Sequence, residues 1–197
     1  MSYVFEYRHE LTTIIAVFSM MVFFVGSRQH QAGLSGFPEM LAYNYAGWLL
    51  IIAGIALRLW AALYIGGNKN RRLVRAGPYS LIRNPLYFGN FLSAIGVMLL
   101  SESLSASLLM GMGLFVIYRG TIAHEEAKLL GFFGDEYREY IRTVPRLWPR
   151  LADIRTLLRE GCCDTISYRN VVRELKRGAV FCLVGILVQS APMLFSF

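Results

Sequence analysis

Residues 43 to 66 contain a single charged side chain, Arg58, in an otherwise apolar run. A helix over them is long enough to cross a hydrocarbon core, for which ~20 predominantly apolar residues suffice. Lipid is therefore the solvent for much of the chain. With 55% hydrophobic and 17% charged residues, its composition exceeds the apolar content that a water-soluble fold usually carries. Residues 11 to 26 (LTTIIAVFSMMVFFVG) are uncharged and predict another span. It is short against ~20 residues, so it thins the bilayer or draws on Tyr3 to Phe5 across a charged patch. Residues 86 to 118 are too many for one helix and are interrupted by Ser101-Glu102-Ser103, which predicts a helical hairpin with a polar tip. The uncharged residues 178 to 197 add a last span. No alternating strand pattern of useful length occurs. The expected fold is an all-α, polytopic integral membrane protein of about five transmembrane helices, two of them in a helical hairpin, with cytoplasmic helices toward the C-terminus.

The net charge of +7 is compatible with nucleic acid or with membrane loops, and the placement of the charges decides. Residues 67 to 85 hold Lys69, Arg71, Arg72, Arg75 and Arg83 without an acid, and residues 119 to 177 are also rich in Lys and Arg. Both segments are expected on the cytoplasmic side of a bacterial inner membrane or the endoplasmic reticulum. The N-terminus is then inside, and residues 27 to 42, whose only charges are Arg28 and Glu39, fit the outer side. Nucleic acid is not an expected partner, since basic residues are not interleaved with aromatics on a soluble face. Arg28, Gln29 and His30 stand where a secretory cleavage site would have small residues, so no removed targeting segment is expected. Cys162, Cys163 and Cys182 make neither a disulfide framework nor a CxxC or Cys/His metal site. Three regions follow: an N-terminal helix and outer loop (1–42), a membrane core (43–150), and amphipathic surface helices split at Gly161 with a final span (151–197).

Between the second span and the hairpin lies GPYSLIRNPLYFG, residues 77 to 89. Gly77-Pro78 marks a turn, and Pro85 suits the first turn of the helix that follows. Asn84 then stands at a helix N-cap, where its side chain can accept from an unpaired amide, beside other free amides suited to an anionic or polar ligand group. The plain alternative is a loop-to-membrane junction with Tyr79 and Tyr87 as interfacial anchors.

A second stretch, EEAKLLGFFGDEYREYIRTVPRLWP, covers residues 125 to 149. Glu126, Leu129, Leu130, Phe133, Tyr137, Tyr140 and Ile141 keep a three-and-four spacing, so a helix leaving the fourth span carries one apolar stripe past the membrane surface. Gly134 fits a helix stop and Asp135 the cap of the next short helix. Paired glutamates beside lipid headgroups gain nothing from that surface and are expected to meet a cation, either a protein arginine or a ligand. His124 has no triad partner nearby in sequence and reads as a polar interfacial residue. Trp148, Tyr137 and Tyr140 read as interface anchors or core.

Together, LVRAGPYSLIRNPLYFG at 73 to 89 and the stretch at 125 to 149, separated by a hairpin, resemble the membrane methyltransferases related to isoprenylcysteine carboxyl methyltransferase and phospholipid N-methyltransferases. The resemblance extends more weakly to GIALRLWAALYIGG at 54 to 67. One departure is clear: the family usually has histidine after the arginine, where this chain has Asn84, which keeps a neutral hydrogen bond but cannot titrate.

The resemblance implies S-adenosylmethionine as methyl donor, held by Gly77, Tyr79, Arg83, Asn84, Pro85, Tyr87, Glu125 and Glu126. The glycine cluster Gly111 and Gly113 lies in a predicted membrane helix and follows no strand, so a Rossmann site is not expected. The implied acceptor is a lipophilic small molecule or lipidated substrate arriving from the membrane lipid. Carboxyl O-methylation of an isoprenylcysteine-like carboxylate is expected, with phospholipid N-methylation, an NADPH-dependent sterol-type reductase and a non-catalytic scaffold as alternatives. Arg146 falls where the family has an arginine and is expected to hold the acceptor carboxylate or, alternatively, a lipid phosphate. Arg58, two turns inside the second span, is a catalytic candidate because an intramembrane arginine needs a partner; otherwise it snorkels or pairs with Glu125. No metal is implied, and nothing in the sequence bears on oligomeric state.

Overall fold

A computed structural model of the chain describes residues 37–65, 72–101, 104–149 and 168–194. The expected first span, most of the expected outer loop, Cys162, Cys163 and the break at Gly161 lie outside these residues. All regular structure among the described residues is helical. The elements are α1 (Phe37–Ile65), the single turn α2 (Pro78–Leu81), α3 (Pro85–Leu100), α4 (Leu104–Thr143) and α5 (Tyr168–Leu194).

Two boundaries differ from expectation. Helix α1 takes in residues 37 to 42, assigned above to the outer loop; Pro38 falls in its first turn, where a proline removes no helical hydrogen bond. Helix α5 begins at Tyr168, so residues 168 to 177 are its first turns and not a separate surface helix. No glycine or proline separates Tyr168 from Arg177, and the Lys, Arg and Glu residues there are good helix formers. Helix α4 continues from the apolar half of the hairpin to Thr143, with one non-helical residue, Gly134, at φ 49° and ψ −120°. That kink is where the sequence places a helix stop.

The hairpin is present. Helix α3 ends at Leu100, Ser101 closes the last turn by donating its N–H to the carbonyls of Val97 and Met98, and α4 starts at Leu104. One stretch of α1, Leu41–Ile65, is by itself long and apolar enough to cross a membrane, at 25 residues. Helix α3 is apolar but has 16 residues, short of the ~20 that span a hydrocarbon core.

The described residues divide into two compact units. The first takes α1 to Ile52, residues 92–116 of the hairpin and α5 from Arg177. Its interior rests on close backbone approach: a Cβ at Gly47 would stand 2.9 Å from the Gly96 carbonyl, and one at Gly185 3.2 Å from both Leu100 and Trp48. Small residues at such crossings let helices meet where no hydrophobic driving force separates them from lipid. Trp48 Nε1 adds an interhelical hydrogen bond to Gln189 Oε1, 3.1 Å away. Outward, Leu49, Ile52, Met112, Phe115, Val116, Leu183 and Ile186 are exposed, while Ser93 is fully buried. That reversal of the usual inside and outside is what helices surrounded by lipid require.

The second unit takes residues 53–91 and 117–176, including the end of α1, the α2 turn, the start of α3, the far part of α4 and the start of α5. Leu73, Tyr137 and Tyr140 form a buried cluster against which Leu129, Phe133 and Val144 pack. The expected apolar stripe is thus present in part, for Leu130 and Ile141 are exposed. Tyr137 and Tyr140 are core, whereas Trp148 is 71% exposed and meets the edges of Phe88 and Phe91.

Candidate active site

The site lies within the second unit and begins at a glycine. Gly77 takes φ 60° and ψ −133°, a conformation that residues with a Cβ rarely adopt, and a Cβ there would run into the Tyr64 ring. Pro78 follows at the first position of α2, and Ser80 Oγ donates to the Gly77 carbonyl at 2.7 Å. The loop is then tied to the far part of the chain. The Tyr140 hydroxyl donates to the Tyr79 carbonyl at 2.6 Å, and the Arg83 N–H to the Pro145 carbonyl at 2.9 Å.

These ties bring Arg83, Asn84, Glu126 and Arg146 together. Glu126 Oε1 accepts from Asn84 Nδ2 at 3.2 Å and stands 3.4 Å from Arg83 Nη1, while Oε2 stands 3.1 Å from Arg146 Nε. Asn84 Nδ2 also donates to the Arg146 carbonyl at 3.2 Å. Of the two expectations for the acidic pair, a protein arginine is the one realised for Glu126. The Asn84 backbone carbonyl does start α3, accepting from the N–H groups of Tyr87 and Phe88. Its side-chain amide, expected to cap that helix, instead donates across to Glu126 and Arg146. The reason is supply: a primary amide has two N–H donors, and a carboxylate and a carbonyl stand within reach.

Two guanidiniums facing one carboxylate leave the cluster with an excess positive charge. Arg83 Nε is buried with no hydrogen-bond partner among the described residues. Arg146, 38% exposed in its side chain, approaches Glu126 through Nε, and no hydrogen bond to a described residue engages its two terminal nitrogens. Such an arrangement favours an anionic oxygen ligand held by forked N–H donors. Tyr137 lies beside Arg83, past the Gly134 kink; burial, reinforced by the Glu126 charge, pushes its hydroxyl up to about 12. It therefore stays a neutral phenol at ordinary pH. Burial also raises Tyr140.

Of the other expected residues, Pro85 and Tyr87 are buried at the start of α3, and Tyr87 meets Tyr118 edge to face with ring centroids 5.7 Å apart. Glu125 is half-buried beside Glu126. Arg58 is 3% exposed and neither snorkels nor pairs with Glu125. Its guanidinium donates to the Leu86 carbonyl at 3.2 Å and is hydrogen-bonded to Asn90 Oδ1 and paired with Glu174 Oε2. Glu174 is the residue the sequence reading missed, having been assigned to a surface helix. The signal available was a lone intramembrane arginine and a last acid placed just before an uncharged run. Among the described residues no three His, Cys, Asp or Glu side chains converge as metal ligands would.

The profile of the phospholipid methyltransferase family matches residues 43–136, which carry both the α2–α3 loop and the acidic pair. The chain is 34% identical over 153 residues to the cobalt-zinc-cadmium resistance protein CzcN of Cupriavidus metallidurans, covering 78% of this chain and 67% of that one. It is 36% identical over 110 residues to the nickel-cobalt-cadmium resistance protein NccN of Alcaligenes xylosoxydans xylosoxydans, covering 56% and 51%. It is 38% identical over 78 residues to the protein-S-isoprenylcysteine O-methyltransferase of Schizosaccharomyces pombe, covering 40% and 33%. The chain thus spans two thirds of the first of these relatives, about half of the second and a third of the third. No solved structure matches it. The residues matched by the profile carry the loop and the acidic turn that meet in one cluster, and the chain belongs to the isoprenylcysteine carboxyl methyltransferase and phospholipid methyltransferase-like family of membrane methyltransferases.

Proposed function

We propose that the protein transfers a methyl group from S-adenosylmethionine to a lipophilic acceptor at the Arg83–Asn84–Glu126–Arg146 cluster. The observation that carries this reading is the convergence of the loop before α3 and the acidic turn of α4 on one carboxylate, Glu126. When bound, the donor supplies a methyl carbon activated by a sulfonium.

The residues present suit such a donor. Its amino-acid end carries a carboxylate, and the unpartnered Nε of Arg83 offers a buried donor to it. Glu126 and Glu125 attract the ammonium or hydroxyl groups of the donor, while Gly77, Tyr79 and Pro85 shape the loop against it. Tyr87 lends an aromatic face suited to a cation. Asn84 has no ionisable group, so it serves the site by holding Glu126 and the Arg146 carbonyl in register, not by moving a proton.

The terminal nitrogens of Arg146 orient an acceptor carboxylate, whose oxygen is nucleophilic without a general base. With the donor bound, that orientation would suit in-line displacement at its methyl carbon with S-adenosylhomocysteine leaving, and positioning by these residues would supply much of the acceleration. The acceptor is isoprenylcysteine-like or another apolar carboxylate, arriving sideways from the bilayer. The donor arrives from the cytoplasm, in a five-span chain with its N-terminus inside. A second reading, N-methylation of a phospholipid amine, is favoured by the family profile that matches; it would use Arg146 on the lipid phosphate.

Incubating the purified full chain with methyl-labelled S-adenosylmethionine and either a synthetic S-prenylcysteine or a total lipid extract tests both. Label in a base-labile ester supports carboxyl methylation. Label in a headgroup amine moves the conclusion to the second reading, and no label in any product overturns methyl transfer.

A further inference from the structure

The buried polar side chains of the second unit do not all belong to the Glu126 cluster. A separate set joins three helices: Arg58 of α1, Asn90 of α3 and Glu174 of α5. We propose that Glu174 is a positioning residue for the methyl-transfer site, holding Arg58 so that Arg58 fixes the first turns of α3 and with them Tyr87. The proposal rests on the function given above, and it makes the last helix part of the working enzyme although the family profile ends at residue 136.

Two contacts pin Arg58 to α3 at different points along its side chain. At the head, one Nη1 serves the Leu86 carbonyl and the Asn90 amide oxygen. These residues are four apart and so lie on one face of the helix. Along the stem, Gly89 admits the arginine: a Cβ there would stand 2.6 Å from Arg58 Cγ and 2.7 Å from the Gly54 carbonyl. Helix α3 therefore rests its backbone on the aliphatic part of Arg58 and its carbonyl on the charged part. Leu86 immediately precedes Tyr87, whose ring meets Tyr118 across the hairpin. A shift of this turn displaces Tyr87 directly. Asn84, in contrast, has its own ties to Glu126 and Arg146.

Stability alone is a poor reason for such a pair. A buried ion pair is often replaced by apolar residues of similar volume without loss of stability, whereas removing one partner strands a charge. Glu174 supplies the countercharge that lets Arg58 remain at 3% exposure, and the arginine's geometry does the rest.

The test compares the parent chain, Glu174→Gln, Arg58→Lys and the double variant Arg58→Met/Glu174→Leu, each full length in detergent. Three quantities are read: the melting temperature, the affinity for S-adenosylhomocysteine by calorimetry, and the rate of label transfer from S-adenosylmethionine at saturating donor. The expected result is a double variant that melts near the parent and keeps product affinity within about threefold. Its turnover falls roughly tenfold to a hundredfold, the scale expected when a reacting group moves by less than an ångström or so. Glu174→Gln, which keeps shape and an acceptor, falls less, and Arg58→Lys, which loses the fork, falls nearly as far as the double variant. A folded double variant with parental turnover overturns the proposal. Should the double variant not fold, Glu174→Gln decides: lowered turnover at unchanged product affinity supports positioning, and unchanged turnover or loss of fold makes the pair purely structural. A parent chain that transfers no label to any acceptor overturns the functional reading itself, an outcome distinct from all of these.

Discussion

Glu126 Oε2 lies 3.1 Å from Nε of Arg146, across 20 residues of α4 and the turn that follows it. The ion pair turns the inner nitrogen toward the carboxylate, and the proposed acceptor site uses the outer pair. Arg146→Lys keeps the charge but replaces the planar fork with a point charge. The expected result is an acceptor KM raised about tenfold, with S-adenosylhomocysteine affinity changed little. Steady-state rates over an acceptor series give the first quantity and calorimetry the second. A tenfold change corresponds to about 1.4 kcal/mol, near the low end of what one charge-assisted hydrogen bond contributes.

Asn84 offers a sharper contrast. Asn84→Leu is close in volume but leaves Glu126 Oε1 and the Arg146 carbonyl without their shared donor, which costs about 1–3 kcal/mol when such groups are buried. Asn84→His restores an N–H and is expected to fold and bind S-adenosylhomocysteine as the parent does. Thermal melting with and without that product measures both. A collapsed Asn84→His would show that this position does not correspond to the family's histidine.

The two positive-φ glycines separate strain from crowding. Gly134 has φ 49° and nothing within 4 Å of an added Cβ, whereas a Cβ at Gly77, at φ 60°, meets the Tyr64 ring. Gly134→Ala is expected to cost about 1–2 kcal/mol of backbone strain. Gly77→Ala adds the clash and is expected to melt several degrees lower than Gly134→Ala. Equal melting temperatures would mean that the Gly77 turn is not held as described.

Tyr137 gives the fold an alkaline limit. Its hydroxyl is raised from 10.0 to about 12 in the folded chain, so the folded state holds its proton more tightly than the unfolded state does. The resulting stabilisation is fully present below pH 10, where both states are protonated, and is lost as pH rises from 10 toward 12. Tyr140 is shifted in the same direction, chiefly by burial. Melting temperature should be flat through neutral pH and decline above pH 10, and Tyr137→Phe should make that decline shallower. A decline of unchanged steepness in Tyr137→Phe would assign the alkaline limit to other groups.

What the sequence disclosed follows the range of the interactions involved. Gly77-Pro78, Pro85 and Gly134 act on their own backbone, and each appears where its local chemistry predicts. The hairpin break at Ser101 is likewise local. Glu126 was legible as an acid that needs a cation, but not which arginines supply it, because Arg83 is 43 residues before it and Arg146 lies beyond a kink. Arg58 and Glu174 are 116 residues apart, and no periodicity links them. The Asn84 side chain was expected to accept from a helix amide, and the loop alone does not reveal the distant carboxylate and carbonyl toward which its Nδ2 donors turn it.

The central claim is that the Glu126 cluster binds the methyl donor, and thermal and calorimetric titration of the full chain in detergent measures it most directly. S-adenosylmethionine and S-adenosylhomocysteine are predicted to raise the melting temperature and bind saturably, with affinity at least about tenfold weaker in Glu126→Ala, while NADPH does neither. Stabilisation by NADPH alone, or donor affinity unchanged in Glu126→Ala, would contradict the account.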